Sequence, residues 1–257
     1  MNTKSVLVRY DKDLRLRISY PEARKEITRD VVRIIRKAPG MNVVPFTFAN
    51  ESRLDSVIEN EVEYLLPMQQ PFTWKVYDHD PLPGLKDKLA LHGFALDDDP
   101  ADVMVLDLKH APDSLFQPMR VVDIRRVTDV AGLKDVIHVL DNVWGGHNTW
   151  VNDRLGGHLQ VPGYLSVYVA YVADQPASIA WTYFPHGPFA TLFAGSTLAD
   201  YRKQGLYTSL LWKRLQEIRE RGYRFAVVET GSMSKPIVAK HGFQHLTTVH
   251  DYEWKGN

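Results

Sequence analysis

One stretch of this 257-residue sequence places two cations and a glycine between an apolar run and an amphipathic segment. It reads LADYRKQGLYTSL over residues 198–210, with Arg202, Lys203 and Gly205 at its centre. The start of a helix leaves backbone N–H groups without partners and carries about half a positive charge. Glycine lets an anion approach that backbone closely, and the two side chains add positive charge. The pattern predicts a phosphate or diphosphate site, although cations that flank a solvated loop would give the same letters.

Few other residue patterns in the sequence could carry chemistry. There is no cysteine, which excludes disulfides, thiolate zinc sites and cysteine nucleophiles. His147 and His158 do not have the spacing of paired metal ligands, and there is no H-E-x-x-H pattern. We therefore predict no metal site.

The second half of the sequence predicts the elements that hold this junction. A strand over 121–127 and a helix over about 130–143 precede a glycine-rich segment at 144–163, which could contain a short helix. Three strands lead to the junction, and a helix follows it whose buried face is marked by Leu206, Leu210, Leu211, Leu215 and Ile218. The chain then continues as strand 224–230, helix 234–241 and strand 244–254.

The first half repeats this order as a hairpin around Ala38-Pro39-Gly40, a helix, a strand, a second helix and a closing strand. Both second helices end in His-Gly-Phe, at 92–94 and 241–243. The repeat predicts a duplicated α/β unit, while a common helix end with a hydrophobic anchor would explain the tripeptide alone. The predicted domains are 1–108 and 119–257, with a linker over 109–119. The corresponding junction of the first half is acidic at Glu51 and has no glycine, so we expect it to repel an anion.

The composition narrows the class of protein. Lys+Arg and Asp+Glu both number 31, so the formal net charge is zero and the basic surplus typical of a nucleic-acid binder is missing. The first residues lack the apolar core of a signal peptide, and no apolar run approaches the roughly 20 residues that cross a bilayer. We expect a cytoplasmic protein with no nucleic-acid or membrane partner.

Residues from about 121 to 255 resemble the GNAT superfamily of acetyl-coenzyme A-dependent N-acetyltransferases. The segment YRKQGLYTSLL is similar to the family's pyrophosphate motif, R/Q-x-x-G-x-G/A, at Arg202, Gly205 and Tyr207. The segment SKPIVAKHGF is similar to the helix and glycine-phenylalanine pair that close the family's acetyl-CoA site. Two positions depart from the family: Tyr207 replaces the usual glycine or alanine, and Val238 replaces a tyrosine that often serves as general acid.

The resemblance implies a fold class and a donor site. The fold class is α/β (α+β): two GNAT-like units, each a mixed, mostly antiparallel sheet flanked by helices, with the C-terminal unit complete and the N-terminal unit degenerate. Strand 191–197 should diverge from strand 225–230, and the pantetheine arm of acetyl-CoA should pair with the backbone around Gly195 and Thr197. The diphosphate should lie beside Arg202 on the amides of residues 203–208, which are Lys203, Gln204, Gly205, Leu206, Tyr207 and Thr208.

The acceptor of an acetyl group in this family is most often a primary amine. Deprotonating a lysine-like amine at pH 7 costs about 4.6 kcal/mol, because its pKa lies three to four units higher. A general base is therefore useful, and the strand at 190–193 offers no carboxylate. Glu229 is the candidate base, or else a solvated carboxylate at a strand end. Ser234 could donate a proton to the leaving thiolate, or it could cap the helix that follows.

The acceptor should enter through residues 144–163. Trp144, His147, Trp150 and His158 could form its walls, or these side chains could pack the segment onto the sheet. The resulting hypothesis is an N-acetyltransferase that acts on a primary amine of a small molecule or a peptide. The alternatives are a non-catalytic acetyl-CoA sensor and an acyltransferase that uses a longer acyl-CoA. The sequence leaves the acceptor and the oligomeric state open.

Overall fold

Helices and strands of the first half follow the predicted order from residue 30 onward. A computed structural model describes residues 2–37, 40–117 and 121–254. The first-half elements are α1 (Thr3–Tyr10), a π-helical turn (Asp11–Leu16), β1 (Ala23–Ile27), β2 (Val31–Arg36), β3 (Asn42–Thr47), α2 (Leu54–Leu65), β4 (Phe72–Tyr77), α3 (Leu85–Leu91), β5 (Phe94–Leu96) and β6 (Ala101–Asp107). Strands β2 and β3 form the predicted hairpin, whose residues 38 and 39 lie outside the described residues. Helix α1, the π-helical turn and strands β1 and β5 were not predicted.

The second half contains every predicted element, and the glycine-rich segment contains a helix where the sequence allowed a short one. A 3-10 turn (Asp113–Phe116) lies in the predicted linker, of which residues 118 and 119 are outside the described residues. The second-half elements are β7 (Asp123–Val127), α4 (Leu133–Val143), α5 (Trp150–Leu159), β8 (Leu165–Val172), β9 (Gln175–Tyr183), β10 (Phe189–Thr197), α6 (Leu206–Glu220), β11 (Phe225–Thr230), α7 (Lys235–Lys240) and β12 (Gln244–Trp254). Helix α5 occupies half of the glycine-rich segment, and Gly156 lets it pack closely, because a Cβ there would lie 3.0 Å from Val130 Cγ2.

The chain divides into two compact units that are not continuous in sequence. The N-unit comprises described residues within 2–104, 230–239 and 245–257, and the C-unit comprises those within 105–229 and 240–244. Most of β12 therefore belongs with the first half, and the end of β6 belongs with the second. The domain boundaries 1–108 and 119–257 stay a prediction.

In the N-unit, β1, β2 and β3 form an antiparallel meander, and α2 connects β3 to the parallel strand β4. Strand β12 lies antiparallel to β4, with Val249 opposite Tyr77. The core lies between the sheet and helices α2 and α3, and includes Trp74, Leu54, Ile58 and other side chains with little exposure.

The C-unit has the same plan. Strands β7, β8, β9 and β10 form an antiparallel meander, and α6 connects β10 to the parallel strand β11. Helices α4 and α5 pack on one face of the sheet around Leu133, Leu155 and Trp181. Helix α6 packs on the other face, with its predicted stripe of Leu206, Leu210, Leu211, Leu215 and Ile218 buried. Mixed, mostly antiparallel sheets flanked by helices confirm the predicted fold class.

Both His-Gly-Phe segments end a helix in the same way. Gly93 has φ +87° and Gly242 has φ +86°, which is the left-handed conformation of a helix C-cap. Phe94 and Phe243 follow and are buried. The tripeptides are helix ends anchored by a phenylalanine, and it is the repeated order of elements that supports duplication.

Candidate functional site

The junction between β10 and α6 has an unusual backbone. A 3-10 turn at Ala199–Tyr201 follows β10, and Lys203 then adopts φ +61°. Gly205 adopts φ +82° immediately before α6 begins at Leu206. A lysine rarely takes the left-handed conformation, and such strained residues concentrate at functional sites. Two residues with positive φ just before a helix start form a backbone arrangement that can bind an anion through its N–H groups.

Most backbone N–H groups of the junction form no hydrogen bond with the residues that the structure describes. The first hydrogen bond of α6 runs from Ser209 N to Gly205 O at 2.9 Å. Among the described residues, five backbone N–H groups at the junction form no hydrogen bond. They belong to Lys203, Gly205, Leu206, Tyr207 and Thr208. The junction therefore presents a cluster of unbonded donors at the positive end of a helix of 15 residues.

The side chains of the junction leave this backbone accessible. Arg202 is exposed, and its Nε donates to the carbonyl of Thr197 at 3.2 Å. Lys203 is exposed, and Gln204 donates from Nε2 to the carbonyl of Asp200 at 3.1 Å. The two cations lie beside the N–H cluster without covering it, which suits a ligand with more than one negative charge.

Strands β10 and β11 diverge next to the junction. Their parallel register ends where Leu192 lies opposite Val228, although β10 continues to Thr197. The register of β10 with β9 shifts between Phe193 and Ser196, and Ala194 there adopts φ +50°. A β-bulge of this kind leaves an extra residue unpaired and bends the strand. The predicted divergence of the two strands is therefore present, with a bulge at its edge.

Tyr207 lies on the bulge. A Cβ at Gly195 would be 2.6 Å from Cε2 of Tyr207, so the glycine makes room for the ring. Burial raises the pKa of the Tyr207 hydroxyl. Tyr207 is larger than the glycine or alanine that is usual in the family motif, and Gly195 on β10 provides the space for its ring. Whether Gly195 contacts a ligand stays a prediction.

Thr197 is already engaged inside the protein. Its carbonyl accepts from Arg202, and its hydroxyl shares a 2.7 Å hydrogen bond with Ser178 Oγ. These groups would have to exchange partners to bind a pantetheine arm. The prediction that Thr197 binds the cofactor is not tested by this geometry.

A cavity of about 480 Å³ lies on the outer face of α6 in the C-unit. Its walls include Thr208, Ser209 and Trp212 from α6, the 3-10 turn of the linker, and the turn Lys240–Gly242. The Nε1 group of Trp212 is buried and has no hydrogen-bond partner among the described residues. The cavity is large enough for a nucleoside, and it begins at the first turn of the helix whose N–H groups are unbonded.

The other face of the sheet carries Glu229. Thr191 lies opposite Val227 in the parallel pair and opposite Tyr183 in the antiparallel pair. Side chains alternate along a strand, so Phe193 and Glu229, two residues further on, share the face of Thr191 and Val227. Glu229 is exposed at the open end of the divergence.

A buried histidine is linked to this face. The Nδ1 of His158 and the hydroxyl of Tyr183 are hydrogen-bonded at 3.0 Å, and His158 is 2% exposed. The Tyr183 ring contacts Phe193 edge-on, with 5.4 Å between ring centroids. Tyr183 was not predicted as a site residue, because an aromatic residue within an apolar strand pattern is indistinguishable from a packing residue.

The predicted acceptor walls lie in two environments. Trp144 and His147 are exposed at the end of α4 and in the turn that follows it. Trp150 packs against the core of the C-unit, and its Nε1 donates to Asn148 Oδ1 at 3.2 Å. Their roles as substrate-binding residues stay predictions.

Ser234 and Val238 belong to the N-unit. The Ser234 carbonyl accepts the first helical hydrogen bond of α7 from Val238 N at 3.1 Å, while its hydroxyl donates to Gly231 O at 3.4 Å. The hydroxyl thus does not act as an accepting cap. Val238 is fully buried. A catalytic role for Ser234 stays a prediction.

The N-unit has its own divergence between β3 and β4, and an arginine fills it. The parallel register ends where Val44 lies opposite Trp74. Beyond that point the Arg15 guanidinium lies 4.6 Å from the ring centroid of Phe46 on β3 and 3.9 Å from that of Tyr77 on β4. A side chain of the π-helical turn therefore lies between the diverging ends of β3 and β4.

Arg15 is held in this cleft by its own partners. Its Nε donates to the Pro45 carbonyl at 3.0 Å, and two nitrogens donate to Asp80 at 2.8 and 2.9 Å. Although burial opposes its charge, the Asp80 carboxylate holds the pKa of Arg15 above its ordinary value. At the start of α2, the Glu51 carboxylate accepts from Gly84 N at 3.2 Å, which places a negative charge where the C-unit has its unbonded amides.

Comparison with solved structures identifies the architecture. A GCN5-related N-acetyltransferase from Kribbella flavida aligns with 100% of this chain and 96% of its own, at 12% identity and a TM-score of 0.73. The chain has the GNAT fold. A tandem GNAT protein from the clavulanic acid biosynthesis pathway aligns with 100% of this chain and 89% of its own, at 14% identity and a TM-score of 0.61. A GCN5-related N-acetyltransferase from Sphaerobacter thermophilus gives the same TM-score at 11% identity, over 99% of this chain and 86% of its own.

Sequence comparison gives no match. No protein-family model matches the sequence, and no curated protein matches it. Among the described residues, no group of three or more His, Asp or Glu side chains is arranged to hold a metal ion. None of the described helices combines the length and the apolar content that crossing a membrane requires.

Proposed function

We propose that the chain is an acyl-CoA-dependent N-acyltransferase, with acetyl-CoA as the donor and a primary amine of a small molecule or peptide as the acceptor. The observation that carries the proposal is the cluster of unbonded N–H groups of Lys203, Gly205, Leu206, Tyr207 and Thr208, next to the divergence of β10 and β11. Phosphate binding at a helix start and an extended arm between diverging strands are the two requirements of coenzyme A. The GNAT fold supports the same proposal.

The donor is proposed to bind along three adjoining features of the C-unit. Its diphosphate lies on the N–H cluster, where each charge-assisted hydrogen bond contributes roughly 1.5–3 kcal/mol. The nucleotide end enters the cavity that Trp212 helps to line. The pantetheine arm runs along the bulge of β10, which brings the thioester to the divergence.

The acceptor is proposed to approach the face that carries Glu229. The amine must lose a proton before its nitrogen attacks, at a cost of about 4.6 kcal/mol for a lysine-like group at neutral pH. Glu229, through a water molecule, is the proposed base, and its exposed position at the strand end suits that role. The hydrogen-bonded pair of His158 and Tyr183 packs against Phe193 on the same face and shapes the floor of the acceptor site.

The departure of the thiolate needs less catalytic assistance than the deprotonation of the amine. A thiol has a pKa of about 8.5, so its thiolate leaves acceptably near neutral pH. Val238 has no proton to donate at the position where GNAT proteins often carry a tyrosine. The proposal therefore assigns the catalytic burden to the base and to the binding of the donor.

A panel of acyl-CoA donors and amines, followed by release of free thiol, tests the proposal directly. Calorimetric titration with acetyl-CoA separates binding from turnover. Binding without thiol release for any amine would favour the acetyl-CoA sensor, and preferred release from a longer acyl-CoA would favour the acyltransferase alternative. An absence of both binding and release would contradict the proposal.

Two glycines that flank α6 provide a matched pair of variants. Gly205 precedes the helix with φ +82° and Gly222 follows it with φ +78°, and a Cβ at either position would have no atom within 4 Å. Glutamate at either site therefore introduces the same backbone strain and the same charge. Gly205→Glu should abolish acetyl-CoA binding, whereas Gly222→Glu should retain it. Equal affinities in the two folded variants would place the donor elsewhere.

A further inference from the structure

Arg214 is an arginine of α6 that the proposed reaction has not yet used. Its side chain is 2% exposed and lies between α6 and the sheet of the C-unit. The guanidinium donates from Nε to the Leu210 carbonyl at 3.2 Å. Its Nη1 lies 3.4 Å from the carbonyl oxygen of Trp181 on β9 and 3.4 Å from that of Phe193 on β10. Arg214 therefore bridges two strands at the point where their register begins to shift.

No carboxylate of the described residues pairs with this cation. Among the described residues, the hydrogen bonds of Arg214 all go to backbone carbonyls, and it forms no ion pair. Burial lowers the pKa of Arg214 to about 10, so the group remains charged at neutral pH. A buried charge without a partner is costly, and an apolar side chain of similar volume would often serve stability equally well. The position thus calls for an explanation other than packing.

The bulge supplies that explanation. Phe193 is the last residue before the register shift, and Ala194 follows it with φ +50°. In a trans peptide the N–H of Ala194 points opposite to the C=O of Phe193, so the group that holds this carbonyl also sets the direction of the N–H. Neither Ala194 nor Gly195 has a Cα partner in the registers of β10 with β9 or with β11, within the residues described.

We propose that Arg214 is a positioning residue for acyl transfer: it fixes the peptide between Phe193 and Ala194 and places an unneutralised positive charge behind the bulge on which the thioester lies. This inference rests on the proposed function. It concerns the charge that develops in the reaction and not the binding of the donor.

The reaction places negative charge next to the bulge. The amine nitrogen forms a bond to the thioester carbon, and the carbonyl oxygen takes up negative charge. The C–S bond then breaks, its electron pair leaves on sulfur, and the amine proton passes to the base. A fixed N–H and a buried cation stabilise both the oxyanion and the departing thiolate, because they are oriented before the reaction begins.

The experiment compares Arg214→Met, Arg214→Lys and Lys213→Met in the full chain. Methionine fills the site without charge, lysine keeps the charge without the fork that bridges two carbonyls, and Lys213 is a cation of the same helix that forms none of the contacts described above. Thiol release gives kcat and KM, and hydrogen exchange of residues 193–196 reports on the bulge in the absence of ligand. We expect Arg214→Met to lower kcat by about 10- to 100-fold with KM for acetyl-CoA changed by less than about threefold. Exchange at the bulge should become about tenfold faster, and Lys213→Met should match the wild type.

The outcomes separate the inference from the proposed function. Wild-type protein with no turnover contradicts the function, and unchanged exchange at 193–196 in Arg214→Met then overturns the inference as well. Active wild type with an unchanged kcat in Arg214→Met overturns the inference alone, as does a loss that lies wholly in KM. If Arg214→Met does not fold, Arg214→Lys decides: a lowered kcat at normal KM supports the inference, and a wild-type kcat overturns it.

Discussion

The contact between Gly195 and Tyr207 gives the sharpest prediction about the junction. An alanine Cβ at position 195 would lie 2.6 Å from Cε2 of Tyr207, 3.3 Å from Cδ2 and 3.4 Å from Cζ. Ordinary carbon contacts begin near 3.4 Å, so Gly195→Ala requires the ring or the strand to move by about 0.8 Å. The ring lies at the first turn of α6, and the strand is bent by its bulge, so neither can shift without disturbing the other.

The size of the effect follows from the cost of overpacking. Inserting one methyl group into a well-packed site costs about 1–3 kcal/mol. For a protein of this length, 1 kcal/mol lowers the melting temperature by about 2–4 °C, so Gly195→Ala should melt about 2–12 °C below the wild type. Thermal unfolding followed by circular dichroism measures this shift. Calorimetric titration of the same variant should show weaker acetyl-CoA binding, because Tyr207 belongs to the N-terminal turn proposed to hold the diphosphate.

Two further variants show whether the ring is the cause. Gly157→Ala places a methyl group on α5 where no atom lies within 4 Å, and it should stabilise by about 0.4–1 kcal/mol through the unfolded chain. Adding Tyr207→Ala to Gly195→Ala should remove most of the penalty measured against Tyr207→Ala alone, which is the coupling that a double-mutant cycle reports. If Gly195→Ala costs the same with and without the Tyr207 ring, the reasoning is refuted.

Two other predictions concern the base and the number of donor sites. Glu229→Gln should lower kcat by roughly 10²–10⁴-fold at neutral pH and leave acetyl-CoA affinity nearly unchanged, while Glu220→Gln on the exposed face of α6 serves as control; full activity of Glu229→Gln with a lysine-like amine would show that the base lies elsewhere. Titration of the full chain should give one acetyl-CoA per chain, since Arg15 fills the cleft of the N-unit and Glu51 lies at the start of α2. Two equivalent sites would contradict the interpretation of the N-unit as closed.

The sequence predicted α6 well because its buried face repeats with the helical period. Leu206, Leu210 and Leu215 are buried as that period requires, and Gly222 follows the helix end. The junction was equally visible, because glycine and cations at a helix start have a local chemical meaning. Local signals of this kind need no knowledge of distant residues.

The N-terminal segment was missed for the opposite reason. Asp13 is 6% exposed and Arg15 is 1% exposed, so two of its buried side chains are charged. A hydrophobic pattern assigns such residues to the surface, and their burial depends on partners such as Asp80, 65 residues away along the chain. The pairing of β12 with β4 could not be predicted either, because a sequence pattern indicates a strand but not the strand with which it pairs.

The sequence predicted only some residues of the sheet face that carries Glu229, where the acceptor is proposed to bind. Glu229 stands at the end of an apolar strand, where position alone suggests a role. Tyr183 and His158 meet only in the folded chain, because these two residues, one on a strand and one on a helix, lie 25 positions apart in the sequence. Their hydrogen bond is a feature that residue types and spacing could not predict.

The two clefts of the chain present opposite electrostatic situations. In the N-unit, Arg15 carries its own charge into the cleft, and Asp80 neutralises it through two hydrogen bonds. An anionic ligand would find neither room between the aromatic rings nor unbalanced positive charge. In the C-unit, the positive charge consists of unbonded N–H groups together with the exposed side chains of Arg202 and Lys203. The diphosphate proposed to bind there would balance this charge. In the N-unit, Arg15 fills the cleft between the strands. In the C-unit, the junction presents unbalanced positive charge. This difference is what we expect of a chain that binds a single donor.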